Sequence, residues 1–251
     1  MSKSSDSAEA VNTSTSNEDP FHDFYDREQP AYGLKPSSEL DQYLAQCRPR
    51  GCALDLGAGA GRDTLALARA GLEVTSVDLS AQGLSLIGSR ADELGIGARV
   101  TTKHCDVREF DFPKEYYEVI VATTVLDHLP PSDANVVWER ILGALTPTGT
   151  LYLEVHTTDD PGCEGCTSTS PQAPVSETAQ WVINYYARGQ LLQMAVASGK
   201  LRVLRYEERY EWDYTHGPEH KHAKAILLAT TAASDPAWYG HPAAFPRHAS
   251  E

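Results

Sequence analysis

Ala53-Leu54-Asp55-Leu56-Gly57-Ala58-Gly59-Ala60-Gly61 runs from apolar residues straight into three alternating glycines, with an acid two positions before the first. It reads as a buried strand ending in a tight turn. Glycine takes left-handed backbone without steric cost and lets a ligand approach the chain closely. A second acid, Asp78, ends the next apolar run, Val74-Thr75-Ser76-Val77, and lies 23 residues after Asp55. A third, Asp106, follows Val100-Thr101-Thr102-Lys103-His104-Cys105. Three acids at three successive strand ends describe a parallel sheet that binds a nucleoside at its carboxyl edge.

The spacing of the glycines decides which nucleoside. A dinucleotide fingerprint, G-x-G-x-x-G, needs a small residue at position 62 when counted from Gly57, and Arg62 stands there. Counted from Gly59 it meets Thr64. Asp55 would also repel a pyrophosphate, so a nicotinamide dehydrogenase is only the fold-level rival. S-adenosyl-L-methionine (SAM) carries an ammonium and a sulfonium that suit nearby carboxylates, and a carboxylate that suits free backbone N–H groups. Asp78 is placed to accept both ribose hydroxyls, and Asp106 to accept from an adenine amino group.

Outward from the glycine loop the chain alternates strands and helices. A capped helix starts at Pro36-Ser37-Ser38-Glu39-Leu40-Asp41 and reaches about residue 47. Strands are expected at 53–56, 73–77, 100–104, 117–123 and 150–155. Between them come helices at 62–70, after Ser80, and at 133–145, the second with Leu84, Ile87, Ala91 and Leu94 on its core face. In the third, Trp138, Ile141, Leu142 and Leu145 face inward, and Pro147-Thr148-Gly149 turns the chain into strand five. Residues 157–174 read as a long active-site loop and 176–197 as one helix. Residues 201–214 and 223–231 read as an antiparallel pair closing the sheet. Residues 1–19 read as a disordered tail, 20–233 as one domain with a lid and helix over 20–50, and 234–251 as a second tail.

With 251 residues and 41% hydrophobic content, one α/β domain is the expected organisation. A net charge of −14 disfavours a broad nucleic-acid surface and favours a small-molecule substrate. No apolar segment reaches membrane-spanning length, and no secretory signal is evident at the N-terminus. Five cysteines at scattered spacings suggest reduced thiols and a cytoplasmic setting. Composition leaves the oligomeric state open.

Residues 53–156 resemble a class I SAM-dependent methyltransferase. Within that superfamily the chain is most similar to the tellurite-resistance and thiopurine-methyltransferase-like group. Leu54-Asp55-Leu56-Gly57-Ala58-Gly59-Ala60-Gly61-Arg62-Asp63 carries the glycine motif, and Tyr25 with Ala31-Tyr32-Gly33-Leu34-Lys35-Pro36 the N-terminal approach. The resemblance implies a Rossmann-like, doubly wound, mostly parallel seven-stranded α/β sheet with an antiparallel last strand. It implies SAM as cofactor, held by Asp55, Gly57, Ala58, Gly59, Gly61, Arg62, Asp78, Leu79, Asp106, Val107 and Thr123. Tyr25 and Tyr32 would then fold over it as a lid, or pack as a simple strap. The implied activity is methyl transfer to a small molecule, such as a thiol or a selenium or tellurium species. The alternative is a non-catalytic SAM-binding or metalloid-binding protein on the same fold.

A sulfonium methyl is already electrophilic, so the protein's task is alignment and exclusion of water, with a base only for a protonated acceptor. The acceptor-facing candidates follow strand four: Thr123, Thr124, Val125, Leu126, Asp127 and His128. Asp127 would orient the acceptor and His128 take a proton, or His128 caps and packs before Pro130-Pro131. His216 is a third acceptor-facing candidate, in the turn His216-Gly217-Pro218-Glu219-His220-Lys221-His222. Cys163-Glu164-Gly165-Cys166 and these histidines are ligand types for zinc or a soft metalloid, or else a polar turn with incidental thiols. His220 and His222 are expected on opposite sides of a strand, unable to chelate together, and no metal is assigned.

Overall fold

Short β-branched and apolar runs form the strands, and they assemble into one seven-stranded sheet of order β3-β2-β1-β4-β5-β7-β6. The computed structural model describes residues 33, 35–164, 175–176, 179–214 and 218–235. The strands are β1 (Cys52–Leu56), β2 (Glu73–Asp78), β3 (Val100–His104), β4 (Tyr117–Thr123), β5 (Leu145–His156), β6 (Leu201–Asp213) and β7 (His220–Thr231). β1 to β5 pair in parallel, while β7 inserts antiparallel between β5 and β6. This is the expected Rossmann-like sheet with an antiparallel last strand.

The helices are α1 (Ser38–Cys47), α2 (Arg62–Arg69), α3 (Ala81–Glu93), α4 (Pro131–Ala144) and α5 (Gln190–Ala197). The central strands are buried on both faces, as parallel strands must be. One core gathers Leu54, Leu56, Ile120 and Ala122 with Trp138, Ile141 and Leu142 of α4. A second gathers Ala53, Val74, Val119 and Val121 with Leu40, Tyr43 and Leu44 of α1 and Leu67 of α2. Ser80 caps α3 as expected, its hydroxyl accepting from Gly83 N–H at 3.2 Å.

Four expectations need correction. Leu94 lies at the end of α3, past its core face, and is half exposed. Pro147-Thr148-Gly149 does not precede β5 but lies within it, where the pairing with β4 shifts register between Tyr117 and Val119. The single helix over 176–197 is absent among the described residues. A 3-10 turn at Ala179–Trp181 and an extended stretch precede α5, which begins after Gly189 at φ 72°. The β-branched and aromatic residues of that stretch take tertiary partners instead of a helical ladder. Ile183 and Asn184 N–H donate to Asp127 C=O, and Tyr186 N–H donates to His156 C=O. Finally, Cys47, Cys52 and Cys105 are free, but Cys163 is disulfide-bonded, so the thiols are not all reduced.

Candidate functional site

The turn after β1 is shaped by Gly57, at φ 64°, where a Cβ would come within 2.6 Å of Val125 Cγ2. The loop is held open by the tip of β2. Asp78 accepts from Gly59 N–H through one carboxylate oxygen and from Ser80 N–H through the other, both at 2.7 Å. Asp106 is gripped by Arg108 through its backbone N–H at 2.8 Å and its guanidinium Nε at 3.0 Å. Those hydrogen bonds hold Asp106 below the usual carboxylate range.

Beneath the loop, Asp55 is buried and accepts from Thr64 Oγ1 at 2.6 Å. Burial, with the charge of Asp63 beside it, raises its pKa well above the ordinary carboxylate range. Asp63 accepts from Arg62 at 3.0 Å and from Thr123 Oγ1 at 3.1 Å. Farther along the sheet, Glu154 is buried with Lys224 Nζ 3.3 Å away and accepts from Tyr152 Oη at 2.6 Å and from Ser37 Oγ. Burial would raise Glu154, but the Lys224 and Arg62 charges and these hydroxyls overcome it and hold its pKa at about 2.

A cavity of about 470 Å³ opens over this edge. Asp55, Gly57, Ala58, Gly59, Arg62, Asp78, Leu79, Asp106, Val107 and Thr123 line it, as do Thr124, Val125 and His128. Thr124 adopts φ 51°, an unfavourable backbone for a β-branched residue. Gly61 is not among the lining residues; its φ of 94° and the 2.8 Å approach of a Cβ to Ile87 Cγ1 suit close packing of α2 on α3. Tyr25, Tyr32 and His216 lie outside the described residues.

Asp127 does not face the cavity. It is wholly buried and accepts from His156 N–H at 3.0 Å and from His156 Nδ1 at 2.5 Å. His156, which falls between the expected strand at 150–155 and the expected loop at 157–174, lines the cavity in its stead. Its position at the carboxyl end of a central strand was the available signal. His128 Nδ1 donates to Trp181 C=O at 2.8 Å, which makes Nε2 its basic nitrogen.

His220 and His222 are not on opposite sides. Residues two apart on a strand share a face, and their Nε2 atoms lie 3.0 Å apart. His222 lines the same cavity. Cys163 does not join them as a thiolate, being disulfide-bonded.

Residues 53–149 match the family described as a methyltransferase domain. Uncharacterized methyltransferases of Mycobacterium tuberculosis and Mycobacterium bovis are each 31% identical to this chain over 107 residues, 43% of this chain and 51% of theirs. The chain thus spans about half the length of the curated relatives it matches. Among solved structures, a SAM-dependent methyltransferase from Methanosarcina mazei superposes with a TM-score of 0.58 at 17% identity, over 78% of this chain and 98% of that one. The 1,6-didemethyltoxoflavin-N1-methyltransferase of Burkholderia thailandensis, solved with S-adenosylhomocysteine bound, gives 0.57 at 20%, over 83% and 80%. TehB from Haemophilus influenzae gives 0.56 at 20%, over 71% and 56%. The sheet order and these superpositions define the Rossmann-like methyltransferase fold. Its central segment carries the methyltransferase domain match.

Proposed function

We propose that this chain is a SAM-dependent methyltransferase acting on a small-molecule acceptor. The observation that carries the reading is a single cavity with acids and a glycine turn at one end and His128 and His156 at the other. The mycobacterial relatives are named methyltransferases, and the Burkholderia neighbour binds S-adenosylhomocysteine.

The residues fit the cofactor on two counts. A Cβ at Gly57 would collide with Val125, so the turn keeps its backbone bare. Asp55 is buried beside Asp63 with its charge incompletely compensated, so a cationic ligand stabilises it. SAM, when bound, supplies an electrophilic methyl on a sulfonium. Asp78 and Asp106 would hold the nucleoside half, and Ala58 and Gly59 would face its amino-acid half. Leu79, Val107 and Thr123 exclude water around it. Arg62 neutralises Asp63 and so limits the negative charge near the loop. His128 Nε2 accepts the acceptor's proton. Asp127 is a positioning residue, since its carboxylate acts on the cavity through His156.

The net charge of −14 supports a small acceptor over a nucleic acid. Thiols and metalloid oxyanions, the acceptors that the sequence resemblance implies, come first among those to screen. The test is calorimetric titration with SAM and S-adenosylhomocysteine, with NAD as decoy and Asp78→Ala as control. Saturable binding of both adenosyl ligands, weakened in the variant, is the expected result. A well-folded protein that ignores both ligands overturns the reading, and binding without turnover across the acceptor screen favours the non-catalytic alternative.

A further inference from the structure

We infer that His156, Asp160 and His222 form a binding site for a divalent transition cation of the zinc class, with its open position turned into the cavity. The three side chains come from the end of β5, the loop after it and the start of β7, and all are buried. His156 Nε2 lies 3.2 Å from His222 Nδ1, and His222 Nδ1 lies 3.2 Å from Asp160 Oδ2. The three ligand atoms fall within 4.8 Å of one another. Ligands about 2.0–2.1 Å from a tetrahedral zinc stand roughly 3.3 Å apart. The two distances at His222 are those of neighbouring ligands on one ion.

Hydrogen bonding points the same way. Asp127 and the Pro218 carbonyl can only accept, so His156 Nδ1 and His220 Nδ1 are the protonated nitrogens. His220 Nε2 is then an acceptor facing His222 Nε2 at 3.0 Å, and takes its proton. A neutral His222 has no second proton, so three lone pairs converge: His156 Nε2, His222 Nδ1 and an Asp160 oxygen. Each imidazole hands its other N–H to an outer partner, the arrangement that fixes tautomers around bound metals. Asp160 is itself fixed, accepting from Gly162 N–H at 2.8 Å and Ala223 N–H at 2.9 Å. Two histidines and one carboxylate leave a fourth position, the pattern of sites that bind a substrate. His156 and His222 both line the cavity. Resting on the methyltransferase reading, the acceptor is then a small molecule with an ionisable thiol, hydroxyl or nitrogen that ligates the cation.

The experiment uses the tag-free full chain, stripped with a chelator and titrated with Zn²⁺ by calorimetry and Co²⁺ by visible absorption. About one equivalent should bind, with the intense Co²⁺ bands of a tetrahedral site, displaced by Zn²⁺. His222→Gln and Asp160→Asn should lose at least ~100-fold in affinity, and Asp127→Asn about 10–100-fold, with circular dichroism unchanged. If a variant fails to fold, the wild-type Co²⁺ spectrum decides. A folded wild type that takes up neither ion, or variants that bind as well as it does, overturns the proposal. SAM calorimetry on the same stripped protein separates the two readings, since cofactor binding and metal binding can each fail alone.

Discussion

Asp55 lies beneath the glycine loop with Asp63 at its side, and burial favours its protonated form. Its folded pKa is raised, so its contribution to stability is fully present below the unfolded value of 3.8 and is lost as pH rises through the folded one. A cationic ligand beside it reverses that preference. Binding of SAM near neutral pH should therefore expel a proton from Asp55, and the measured heat should depend on the buffer's ionisation enthalpy. Asp55→Asn, which keeps an acceptor for Thr64, should abolish that dependence. Equal proton release by the variant would sink the assignment. At Asp78 a loss of affinity is expected, because it holds two backbone N–H groups as well as the proposed ribose. Asp78→Ala should weaken S-adenosylhomocysteine binding roughly 10–100-fold, the scale of a hydrogen bond to a charged group.

The turn between β1 and α2 depends on the loop after β4, because Gly57 abuts Val125. Gly57→Ala adds both a left-handed alanine and an overpacked contact, and should destabilise by about 1–3 kcal/mol. Val125→Ala should recover part of that loss in a double-mutant cycle read by urea denaturation, and strict additivity would remove the contact as its cause. Elements of this kind were legible because their signals are local. Apolar and β-branched runs located β3 and β4 to the residue. The stretch after Ala179–Trp181 was not legible, because its conformation is set by the Asp127 and His156 carbonyls. The same limit hid half of the candidate site. The acids at the carboxyl ends of β1, β2 and β3 could be read in order, whereas His156, Asp160 and His222 meet only through the pairing of β5 with β7. Asp127 was visible as a residue but not in its role, since only the fold puts it behind His156.

Across the described residues, one buried ionic network ties α1, the glycine-loop helix α2 and the antiparallel end of the sheet together. Glu154 on β5 contacts Lys224 on β7 and Ser37 before α1, and feels the charge of Arg62 on α2. Arg209 on β6 reaches Glu39 on α1 at 2.7 Å, a second tie between the same layers. Glu154→Gln would leave the buried Lys224 ammonium without its nearest charge. Breaking such a pair costs about 3–5 kcal/mol. The sign with pH follows from the depressed carboxylate. Its contribution is present above the unfolded value of 4.5 and is lost as pH falls toward about 2. Denaturation curves of wild type and variant should therefore lie farthest apart near neutral pH and converge as the solution is acidified through that window. A constant gap between the two down to the acid limit would mean that Glu154 acts by shape and hydrogen bonding alone, and that the layers are joined by packing rather than by charge.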